Sequence, residues 1–181
     1  YVRRGSKGIA LLHNNAGQLS LRYVFDVSDT GTRRTSLDPF LWQINERNEP
    51  AIAAMLEQEY DVSAVHGLHF QLAEIAQRQA SAYWQDHQQD VFRIVDGSFL
   101  EEYDEINVRE SFRRATSISV CYTLQARCGL DVDSQFEHED FLNVFDWNTP
   151  DAVAVLGTAV SQISGQVLRQ IETIAKRVER S

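Results

Sequence analysis

The residues whose types and spacing suggest chemistry first are four cations near the start of the chain. Arg3 and Arg4 precede Gly5, Lys7 stands between Gly5 and Gly8, and Arg22 falls in the second of two apolar runs that follow. Guanidinium and ammonium groups strung along an extended segment can track the phosphates of a nucleic-acid backbone, and an aromatic ring beside them, here Tyr1, can stack on a base. No sequence-specific readout is implied. The stretch "YVRRGSKGIALL" admits a second reading, in which Gly5 and Gly8 serve a tight turn and the cations are solvated. Local sequence leaves both open.

Other constellations are weaker. His66 and His69, with Glu74, could in principle ligate a metal, but an HxxH without a third well-spaced ligand more often caps or lines a loop. His87 with Asp90, and His138 with Glu139 and Asp140, have the make-up of pairs that orient a general base, although such pairs commonly sit on solvated helix ends. The acidic group Glu101, Glu102, Asp104 and Glu105 lacks the ligand spacing of a calcium loop and reads as a charged helix face or a surface for a basic partner. There is no GxSxG, no phosphate-binding lysine loop, no dinucleotide fingerprint and no deaminase signature. The expectation is therefore a non-enzymatic protein with no catalytic residue, no metal and no cofactor, a cryptic hydrolase ranking third among the readings.

Around these residues, 181 positions with 43% hydrophobic and 24% charged side chains suffice for a globular core without disulfides. Cys121 and Cys128 would lie about 10 Å apart along a helix, too far for a bridge, and read as small core residues. The formal charge of −9 argues against a surface coated in nucleic acid, yet it conceals an asymmetry. Residues 1–34 carry six basic side chains against two acids, a net of +4, while the remainder carries 11 against 24, a net of −13. With no signal peptide or long apolar span visible, a reduced cytoplasmic setting without membrane association is expected, and the missing initiator methionine reads as a chain cut from something longer.

The elements follow from periodicity. "GIALLH" and "QLSLRYVFDVS", separated by "NNAG", predict a β-hairpin over 9–27, with Leu19, Leu21, Tyr23, Phe25 and Val27 as its core face and Arg22 looking outward. A loop follows through "SDTGTRRTSLDPF". Asn48 is expected to cap a helix bearing Ile52, Met55, Leu56 and Tyr60 on one face. A second helix spans about 68–87, "DVFRIVDG" suggests a short one ending near Gly97, and one or two more close at Gly129, the β-branched "ISVCY" being the segment that competes as a strand. Thr149 and Pro150 then open a helix of roughly 28 residues, about 42 Å long, with Val153, Leu156, Val160, Ile163, Val167, Ile171, Ile174 and Val178 on its inner stripe. Trp42, Trp84 and Trp147 are read as core, with docking of another domain as the alternative for the aromatic stretch around Phe136, Phe141 and Phe145.

The motif VRRGSKGI, with VFDVSDT a short distance on, resembles the N-terminal region of ArdC-type antirestriction proteins and the related LtrC-like large polyvalent proteins of plasmids, phages and integrative conjugative elements. The matching positions are Val2 to Ile9 and Val24 to Thr30, and they cover about 45 residues. That resemblance implies a single-stranded-DNA-binding module in a protein that handles DNA during element transfer. The zinc-peptidase-like HExxH often found further along in such proteins does not occur in this chain.

The fold expected is α+β: a small β-hairpin unit over 1–45, resembling the C-terminal part of an ArdC-type domain, then a mostly helical domain of five or six helices over 46–181 with a long C-terminal helix. The function expected is sequence-nonspecific binding of single-stranded DNA, with Arg3, Arg4, Lys7 and Arg22 on phosphates and Tyr1 beside them. The alternative is an acidic helical interaction domain that docks a basic protein partner or mimics DNA, without binding DNA itself.

Overall fold

The computed structural model describes residues 1–15, 18–33 and 41–181, with side chains described for all of these except 12–15, 18 and 19. The chain is α+β, as expected, and divides into two compact units, Tyr1–Leu41 and Trp42–Ser181. The expected division fell between 45 and 46.

In the first unit, β1 (Ile9–Asn15) and β2 (Gln18–Val24) pair antiparallel in a register running from Ile9 opposite Val24 to Asn15 opposite Gln18. Half of the anticipated "NNAG" turn, residues 16 and 17, lies outside the described residues, as does the part of the following loop at 34–40. An isolated bridge between Val2 and Thr30 closes the unit, with the Arg3 amide donating to the Asp29 carbonyl at 2.8 Å and the Gly31 amide to the Tyr1 carbonyl at 2.8 Å.

The strands alternate as the sequence predicts, but β2 ends at Val24, short of the expected 27: Val27 opens a 3-10 turn (Val27–Asp29), and the supposed core face is largely exposed. Leu21 is 60% and Tyr23 57% exposed, Val27 is exposed as well, and on the opposite face Ile9 is 60% exposed. Phe25 is half-buried; the side chain of Leu19 lies outside those described. Exposed side chains occur on both faces, so alternation here marks two faces without deciding that either is buried.

The second unit packs four helices: α1 (Glu49–Tyr60), α2 (Leu68–Phe92), α3 (Glu105–Arg127) and α4 (Pro150–Glu179), with a 3-10 helix at His138–Val144. α2 lies along α3, α4 rests on both, and α1 closes against α2 and α4. Their shared core has two parts. One is aliphatic, around Ile52, Leu56, Leu72, Ile75, Leu124 and Ile171; the other is aromatic, around Trp84, Phe112 and Trp147.

Local signals explain most boundaries. Thr149 accepts from the Ala152 amide at 3.2 Å while Pro150 occupies the first turn, where its missing N–H costs nothing. Asp104 caps α3 through the Asn107 amide at 2.8 Å, and α3 ends in paired bonds from Gly129 to Ala126 and from Leu130 to Gln125, with Gly129 at φ 75°. "ISVCY" is helical, because burying Val120, Cys121 and Leu124 outweighs propensity differences of a few tenths of a kcal/mol per residue.

Three expectations are corrected. Asn48 makes no side-chain cap: it is fully buried, accepts from the Asn45 amide at 2.9 Å and donates from Nδ2 to the Gln43 carbonyl at 2.8 Å, so it pins the turn before α1. No separate helix covers "DVFRIVDG", since α2 runs through Phe92 with Val91 buried, and Gly97 lies in the turns beyond. On α4 the inner stripe begins at Ala152, leaving Val153 57% exposed. No helix among the described residues is long and apolar enough to cross a membrane.

Candidate nucleic-acid interface

The opening motif is a turn. The Ser6 amide donates to the Arg3 carbonyl at 3.2 Å and Gly5 sits third in the turn at φ 93°, the position where a type II turn requires a positive φ. Arg3 and Arg4 occupy its first two positions and are exposed, and Lys7 follows, also exposed. Gly8 has another role: a Cβ there would come within 3.0 Å of the Phe25 ring, so its bareness lets Phe25 lie against the strand entrance. The turn reading of the two glycines thus holds for Gly5 alone, and it coexists with the cations facing solvent.

Arg22, exposed, stands on β2 opposite Leu11, on the face shared with Ile9 and Val24. Tyr1 is 64% exposed, with part of its ring against Gly31 and its backbone nitrogen donating to the Gly31 carbonyl at 3.0 Å. Among the described residues, none of Arg3, Arg4, Lys7 and Arg22 forms an ion pair. Of the unit's nearby acids, Asp26 is engaged with Ser28, accepting from its hydroxyl at 2.6 Å and its amide at 2.8 Å, and these bonds hold the carboxyl below its usual range.

The cations of the helical unit behave differently. Arg78, Arg93, Arg109, Arg113 and Lys176 each pair with a carboxylate, and Arg127 lies 3.9 Å over the Trp42 ring. Six of the eleven basic residues over 42–181 are therefore held within the fold, against 23 acids.

Sequence reasoning missed Tyr23. Assigned to a core, it is exposed beside Leu21 on the face opposite Arg22, and so offers a second ring for stacking. The signal available was that only two strand-like runs are read from the sequence.

The other candidates are dispersed. Glu74 pairs with Arg78 at 2.6 Å and His69 packs against Phe70 with ring centroids 4.2 Å apart, so His66, His69 and Glu74 are not assembled as a metal site. His87 directs Nδ1 at the Tyr83 carbonyl at 2.9 Å and stacks on that ring, while Asp90 pairs with Arg93 at 3.0 Å. Asp140 accepts from the Glu137 amide in a capping box, and His138 lies by Phe145 instead. In the acidic group, Asp104 caps α3 and Glu101 accepts from the Gly97 amide at 3.1 Å. Cys121 and Cys128 are free and buried, and desolvation pushes their thiols up to about 11 and about 12, far from the thiolate that nucleophilic chemistry needs.

These features define a class: an α+β chain with a small hairpin unit bearing exposed cations, followed by an anionic helical unit. Compared with protein-family models, with curated proteins and with solved structures, the chain matches none.

Proposed function

We propose that residues 1–41 bind single-stranded DNA without sequence preference, within an accessory module of a mobile-element protein of the antirestriction kind. The observation that supports this reading is the contrast in cation use: Arg3, Arg4, Lys7 and Arg22 are exposed and unpaired among the described residues, whereas more than half of the helical unit's cations are engaged internally. Unpaired guanidinium and ammonium groups meet phosphates without first breaking a native ion pair. Tyr1 and Tyr23 supply exposed rings of the kind that stack on bases. The mobile-element context rests on the resemblance of VRRGSKGI and VFDVSDT to ArdC-type sequences.

Fluorescence anisotropy of a labelled oligonucleotide across a salt series tests the reading. Neutralisation of four phosphates corresponds to a log–log salt slope of roughly −3 for a single strand. Arg3→Glu combined with Lys7→Glu is expected to weaken binding strongly and flatten that slope. The second reading, docking of a basic protein by the helical unit, draws on the 23 acids against 11 basic residues over 42–181. It takes over if the wild type shows no salt-dependent binding.

A further inference from the structure

A groove of about 370 Å³ lies between α1 and α4, on a surface of the helical unit that the DNA-binding reading does not use. Met55 and Glu59 line it from α1, and Arg169, Gln170 and Ile174 from α4. The half-buried Met55 and Ile174 pack on the aliphatic core and give the groove apolar surface. The two helices are tied together by the Tyr60 hydroxyl, which donates to Gln170 Oε1 at 2.5 Å. Glu59 precedes Tyr60 and Arg169 precedes Gln170, so an acid and a base stand beside this bond, one from each helix. The Glu59 carboxylate is felt at the Tyr60 hydroxyl, whose pKa is raised by desolvation first and by that negative charge second. Arg169 Nη1 lies 3.3 Å from where a Cβ on Gly165 would stand, so its guanidinium rests along α4. Both charged side chains are exposed, and among the described residues neither forms an ion pair. Because Tyr60 takes Gln170 Oε1, the Nε2 of that amide is left as a donor.

An acid and a base that line one groove without neutralising each other select a ligand that carries both charges. A simple anion would meet Glu59 and the field of a unit with 23 acids against 11 basic residues, and a simple cation would meet Arg169. An uncharged apolar molecule would cover Met55 and Ile174 and leave both charges to water. A chain terminus of a partner protein offers one of the two charges, never both. A free α-amino acid with an aliphatic side chain supplies an ammonium for Glu59, a carboxylate for Arg169 and the Gln170 Nε2, and an apolar body for Met55 and Ile174. We propose that the groove between α1 and α4 binds a free aliphatic α-amino acid as its zwitterion, with Glu59 and Arg169 holding the two charged groups and Met55 and Ile174 the side chain.

The test follows amide NMR shifts of the full chain, with L-leucine as the probe and leucinamide, N-acetyl-leucine and glycine as controls. Leucine is expected to give saturable shifts confined to residues around the groove. Leucinamide lacks the carboxylate, N-acetyl-leucine the ammonium and glycine the side chain, so each should bind at least about fivefold more weakly, the loss of one exposed contact. Glu59→Gln should weaken leucine by a similar factor and leave N-acetyl-leucine unchanged. Arg169→Gln should weaken leucine and leave leucinamide unchanged. Both positions are exposed, so the variants keep the fold, which the spectrum itself reports. Absence of saturable shifts with leucine, any control bound as tightly as leucine, or leucine affinity unchanged in either variant overturns the proposal. No hairpin residue lines the groove, so the result is independent of whether that unit binds DNA.

Discussion

The guanidinium of Arg127 lies 3.9 Å over the Trp42 ring, and its Nη1 donates to the Trp42 carbonyl at 3.4 Å. This pair fastens the first residue of the helical unit to the end of α3, and Trp42 is only 4% exposed. Replacing Arg127 with Ala removes both contacts and is expected to lower stability by about 1 kcal/mol, because an exposed guanidinium over an aromatic ring contributes about that much. Arg127→Lys should recover only part of it, since an ammonium cannot stack as a planar guanidinium does. Urea unfolding followed by tryptophan fluorescence measures both; equal stability of all three proteins would show the contact to be idle.

In the aromatic half of the core, Phe112 is fully buried against Trp84 and Trp147, with ring centroids 5.6 and 5.4 Å away. Phe112→Ala should cost about 3–5 kcal/mol by opening a cavity between α2, α3 and the entry to α4. Phe112→Leu should cost less than half as much, which thermal melts would register as a clear ordering of the two variants.

Gly157 sits within α4 and a Cβ added there would meet nothing within 4 Å. Gly157→Ala should therefore stabilise the protein by up to about 1 kcal/mol, through helix propensity and a less flexible unfolded chain. A lower melting temperature would mean that this face of α4 is covered in solution.

Burial raises the thiols of Cys121 and Cys128 from 9.0 to about 11 and about 12, and Tyr60 and Tyr83 are raised from 10.0 by desolvation too. In each case the folded state holds its proton more tightly than the unfolded state. The resulting stability is complete below about pH 9 and is lost as pH climbs towards the folded-state values. Denaturation midpoints should fall steeply between pH 9 and about 12, and Cys121→Ala with Cys128→Ala should flatten that fall. Midpoints equally steep in the double variant would assign the alkaline loss to other groups.

If the hairpin unit binds single-stranded DNA by stacking as well as by charge, Tyr23→Ala should weaken affinity by roughly 1–3 kcal/mol while leaving the salt slope unchanged. Gly5→Ala strains a backbone at φ 93° and should reduce affinity by displacing Arg3 and Arg4, with the helical circular dichroism signal intact. An affinity indifferent to Tyr23 would restrict recognition to the phosphates.

Much of the helical unit was legible from local chemistry. Thr149, Pro150 and a stripe of apolar residues announce α4, Gly129 closes α3, and the three tryptophans are core residues in the fold. Less was legible of the candidate site. Arg3, Arg4, Lys7 and Arg22 could be picked out as cations, but whether a carboxylate had already claimed them depends on side chains distant in sequence.

What the sequence determined by itself were the features set by neighbours along the chain: strand alternation over 9–24, helix periods, the Thr149 entrance to α4 and the Gly129 stop of α3. Tertiary structure alone decided that Leu21 and Tyr23 are exposed rather than core, that Asn48 pins a turn instead of capping a helix, and that Gln125 keeps a buried oxygen unpaired. The division has one cause. Periodicity and capping depend on residues three or four positions apart, whereas burial and pairing depend on which surfaces meet after the chain has folded back on itself.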